Sequence, residues 1–95
     1  MKDWGGTETP TVEQTAEIIG SGEDKLMEKF ASLMKSLTPE QKNKPEYLVA
    51  AMEYGRHYQE QTFRLENNVT TPEAARTQVI AALQLFVEKL EKMVE

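Results

Sequence analysis

Apolar residues along this chain recur at steps of three and four, the spacing that lines one face of an α-helix. Leu26, Phe30, Leu33 and Leu37 follow this spacing, with Met27 and Met34 beside them, and predict an amphipathic helix over about 23–37. A longer pattern covers 45–66 and divides into two strips. Tyr47, Tyr54, Tyr58 and Leu65 form one; Leu48, Met52 and Phe63 form the other, with Ala51, Gly55 and Thr62 between them. At about 100° per residue the two strips together span roughly half the helix circumference. A helix packed against a single neighbour needs less. Over 72–94, Ala75, Val79, Ala82, Leu83, Phe86, Leu90 and Met93 make a main stripe, which Ile80, Val87 and Val94 widen. A short helix is expected over about 12–19, closed by Gly20-Ser21-Gly22.

Start signals agree with these periods. Thr38-Pro39-Glu40 and Thr71-Pro72-Glu73 repeat one tripeptide, and Lys44-Pro45-Glu46 nearly copies it. Threonine caps an orphan N–H, proline suits the first helical position, and glutamate meets the positive end of the helix dipole. Thr11 with Gln14, and Thr38 with Gln41, fit capping boxes. Pro39 and Pro45 are too close for more than a turn or a single helical turn between them. Asn67 to Thr70 is a short loop between two long helices, which favours an antiparallel hairpin. The expected fold is therefore an all-α bundle of three main helices and a short leading one. The first two helices cover the apolar face of the hairpin. Residues 1–9 read as a flexible arm and 10–95 as a single domain, without a solenoid-type repeat.

Composition narrows the function more than it defines it. Ninety-five residues with a 39% hydrophobic fraction support one modest core, not a buried catalytic chamber. The net charge of −5 and pI near 4.9 lack the basic face that nucleic acid or an anionic membrane would attract. Basic partners are mildly favoured. There is no cysteine, which removes disulfides, thiolate chemistry and cysteine zinc sites. The first residues carry no apolar signal-like segment, and the longest apolar run, Val79 to Leu83, is too short to span a bilayer. The expected setting is cytoplasmic.

Candidate chemistry is sparse. His57 is the single histidine, with Glu53 four residues before it and Glu60 and Gln61 within the next turn. One imidazole and two carboxylates could in principle share a helix face, and a small enzyme or a metal or ligand carrier using this face is the remote reading. Metal sites in bundles, however, draw several ligands from separate helices. Glu60 and Arg64 fit a solvated ion pair instead. Ser21, Ser32 and Ser36 lack a paired base or a nucleophile elbow, and the Gly20 loop lacks the residues of a phosphate cradle. No catalytic residue, cofactor or metal is expected. Gly55, in the interior of a helix, costs about 1 kcal/mol relative to alanine, so its position between two apolar strips points to a close helix crossing, with a kink that shapes a groove as the alternative.

The segment Lys44 to Tyr54 resembles the turn and second helix of needle and inner-rod subunits of bacterial type III secretion, which share a proline, a leucine-rich start and later aromatic positions. That resemblance implies a subunit of a helical assembly, although the helix from Pro72 onward extends beyond a simple needle hairpin. The residues themselves favour a non-catalytic, acidic interaction module (adaptor, chaperone or inhibitor) that docks a helical surface onto a protein partner. Self-association, as a homodimer or a helical assembly component, is the alternative. The candidate interface comprises Tyr47, Tyr54 and Tyr58, the edge formed by Ile80, Val87 and Val94, and Trp4 as an aromatic anchor.

Overall fold

A computed structural model describes residues 10–20 and 24–94. The proposed arm at 1–9, with Trp4, lies outside the described residues. Five helices follow in order: α1 Val12–Ile19, α2 Asp24–Ser36, α3 Pro39–Lys42, α4 Pro45–Glu66 and α5 Pro72–Val94. No strand occurs among the described residues. The protein is a small all-α bundle whose last two helices form an antiparallel hairpin.

Local chemistry accounts for the helix ends. Thr11 Oγ1 accepts from the Gln14 N–H at 3.2 Å, while the Gln14 side chain accepts from the Thr11 N–H at 2.9 Å. The Thr38 and Gln41 pair repeats this reciprocal arrangement. Both boxes satisfy donors that a helix start leaves orphaned. Gln41 does a second job: its Nε2 donates to the Met93 carbonyl at 3.0 Å, tying the single turn of α3 to the end of α5. Thr71 Oγ1 accepts from the Ala74 N–H and opens α5.

The turn between α4 and α5 has a definite form. Asn68 takes a left-handed backbone with φ 57°. The Asn68 N–H donates to the Leu65 carbonyl and the Val69 N–H to the Arg64 carbonyl, at 3.1 and 2.8 Å. These two bonds close a Schellman turn, and asparagine tolerates the left-handed position it requires.

The core gathers on α5. That helix packs along α4 on one side and receives α1 and α2 on the other. Ala75, Val79, Leu83, Phe86, Val87 and Leu90 are buried along it. Phe30 from α2 and Tyr47 and Tyr54 from α4 converge on Phe86. Tyr54 stacks on Phe86 with ring centres 5.2 Å apart, and Phe30 meets Tyr54 edge-on at 6.2 Å. Such aromatic pairs contribute about 0.5–1.5 kcal/mol each beyond the area they bury.

Two expectations are corrected here. Tyr47 and Tyr54, named as candidate interface residues, are core residues, because their rings fill the space between α2, α4 and α5. The edge of α5 bearing Val87 was expected to be left over; Val87 is only 3% exposed and Ile80 is half-buried against the core. The physical reason is that α1 and α2 both lie on α5, so together they cover a wider apolar face than one additional helix would.

Candidate interaction surface

The first strip of α4 points inward with its polar atoms paired. Tyr54 Oη lies 2.7 Å from Thr15 Oγ1, in a buried hydrogen bond that links α4 to α1. Burial pushes the Tyr54 phenol well above its ordinary range, against a smaller opposing effect of the Thr15 hydrogen bond. Tyr58 is half-buried and its hydroxyl donates to the Gln14 carbonyl at 2.9 Å. Its pKa is raised too, first by burial and then by the nearby Glu17 carboxylate.

The second strip points outward. Leu48, Val49, Met52 and Phe63 are 48%, 53%, 45% and 55% exposed, against 2% for Tyr54 on the opposite side of the helix. Ion pairs border this apolar face. Lys89 Nζ reaches Glu53 Oε1 at 2.9 Å from α5, and Arg64 reaches Glu60 at 2.8 Å within α4. Where the start of α4 passes the end of α5, Lys44, Pro45, Val49, Lys89, Lys92 and Met93 line a shallow groove. Leu85, 60% exposed on α5, extends the apolar character beside Lys89.

His57 lies in a shallow cleft with Glu53, Ala82, Leu85, Phe86 and Lys89. The Lys89 ammonium, hydrogen-bonded to Glu53, holds that carboxyl below its ordinary range. Glu53 is therefore engaged with a cation and is a poor partner for His57 as a metal ligand or base. Among the described residues, no three histidine or acidic side chains are grouped so as to hold a metal.

The seven residues expected to form an interface thus have different fates. Tyr47, Tyr54 and Val87 are buried, Tyr58 and Ile80 half-buried, Val94 remains 38% exposed at the end of α5, and Trp4 is not among the described residues. The surface that stays open is built from residues of the second strip, together with Val49. Their signal was the excess apolar width of this one helix. What the sequence pattern lacked was the choice of strip.

No protein-family model, curated protein or solved structure matches this chain. Among the described residues, no helix is long and apolar enough to cross a membrane.

Proposed function

We propose that this chain is a non-catalytic protein-interaction module that docks through the outer face of α4. One observation carries the reading: Leu48, Val49, Met52 and Phe63 stand half-exposed on one side of a helix whose other side sends Tyr47, Ala50 and Tyr54 into the core. Apolar side chains clustered on a small protein's surface, rimmed by charged groups, mark interaction sites. Glu53, Lys89, Glu60 and Arg64 supply that rim. Glu53, ion-paired with Lys89, is a poor partner for His57, which weighs against the remote His57 reading.

The test is a double variant, Met52→Glu with Phe63→Glu. Both side chains are exposed, so the variant keeps its helical circular dichroism and its melting behaviour. It should lose the association that the parent shows, measured both as mass in solution and as proteins retained from native cell extract. If variant and parent give the same mass and retain the same proteins, the outer face of α4 is not a docking surface.

A further inference from the structure

Pro45, Val49, Met52, Arg56, Gln59, Phe63 and Glu66 succeed one another at alternating steps of four and three along the outward side of α4. This is the spacing of a seam that packs against another helix. Its composition has an order. Apolar residues lie toward both ends, with Leu48, Val49 and Met52 at one and Phe63 at the other, while Arg56 and Gln59 occupy the middle. Lys44, Arg56 and Glu66 make no ion pair among the described residues.

That order is complementary to itself when reversed. We propose that the occupant of the outer α4 face is a second copy of this chain, lying antiparallel about a two-fold axis near residues 55 and 56. The inference rests on the docking reading above and names its partner. Antiparallel pairing sets Leu48 against Phe63 of the second copy, Met52 against its Gln59, and Pro45 against its Glu66. A two-fold axis of this kind brings each edge of the face onto the same edge of the other copy. On one edge Lys44 then meets Glu66 of the second copy. On the other, the axis sets the two Arg56 side chains side by side, and each reaches toward Glu53 of the second copy, whose own-chain partner is Lys89. Parallel pairing would instead set Lys44 level with Lys44 and Glu66 level with Glu66, so neither end would meet an opposite charge. The competing occupant is an acidic partner seated over the groove that holds Lys44, Lys89 and Lys92.

The face is about 33 Å long and roughly 10 Å wide. That is smaller than the ~800 Å² a standard interface takes from each partner, so the dimer dissociates on dilution. Sedimentation equilibrium of the full chain should give a mass that rises from monomer toward dimer with concentration. Lys44→Glu and Glu66→Lys, made separately, should each weaken the dimer about tenfold, since each replaces two symmetry-related attractions with repulsions. Both changes suit the helix dipole, an acid at the start of α4 and a base at its end, so the fold is retained. The two changes combined should restore the parent's association. Lys44 and Glu66 are about 33 Å apart on one helix, so restoration requires contact between copies running in opposite directions. A parent that stays monomeric at the highest concentration reached, or a combined variant no better than the single ones, overturns the proposal. A monomeric parent whose retained proteins are lost on Met52→Glu with Phe63→Glu overturns the second copy alone and leaves docking through this face standing.

Discussion

On one side of α4, Tyr47 and Tyr54 lie against Phe86 with almost no exposed surface; on the other, Leu48, Val49, Met52 and Phe63 stand about half open. Both sides are apolar at helical spacing, and both belong to one unbroken helix. They differ in what reaches them. The inner side meets rings from α2 and α5, and its deepest hydroxyl finds a buried partner in Thr15. Buried polar atoms are stable only when paired, so the Tyr54 ring can lie deep because α1 brings Thr15 to it. The outer side has no hydroxyl among its apolar residues and, among the described residues, no helix laid across it. Inner residues therefore stabilise the fold, while the outer ones stand about half open to solvent.

The strongest way to break this contrast is to place the same charge on a buried and on an open apolar residue. Val87→Glu should lower monomer stability by about 3–5 kcal/mol, because an unpaired charge would be buried against α1 and α2. Met52→Glu should change monomer stability by less than about 0.5 kcal/mol. Urea unfolding of dilute protein checks both. Equal effects would erase the distinction between core and surface.

A smaller change sharpens the inner side. Tyr54→Phe keeps the stacked ring but strands the buried Thr15 hydroxyl, at a cost of about 1–3 kcal/mol. The parent should also be alkali-labile. Tyr54 and Tyr58 both hold their protons more tightly when folded than their ordinary value of 10.0. Their contribution is fully present below about pH 10 and is lost as pH rises above it, toward the higher folded-state values. Tyr54→Phe removes one of the two responsible groups, so its stability should decline less steeply above pH 10. Unfolding curves collected across that range decide the point; an unchanged slope would mean that Tyr54 titrates freely in the folded protein.

The smallest effect is expected at Gly55, which is buried between the two strips. Gly55→Ala raises intrinsic helix preference by about 1 kcal/mol, while overpacking costs about 1–3 kcal/mol. The balance is a net loss of about 1 kcal/mol, read as a lower melting temperature. A higher one would show that the space beside Gly55 accepts a methyl group.

Short-range chemistry made much of this protein legible in its sequence. Capping boxes, Pro-initiated helices and three-to-four periodicity all act over one or two turns, and every helix predicted from them is present. The turn at Asn67 and Asn68 was legible as a loop, although its Schellman hydrogen bonds were not. The orientation of α4 was not legible, because its two strips have similar apolar character and periodicity treats them alike. That choice depends on residues far away along the chain: Thr15 lies 39 positions before Tyr54, and Phe30 reaches the same ring from another helix. The covering of Val87 likewise depends on α1 and α2 folding back together onto α5. The sequence by itself determined which residues form helices and that one helix carries more apolar width than a single contact needs. Only the tertiary structure decided which strip is core and which is surface, since burial depends on which partners arrive in space and not on the local period.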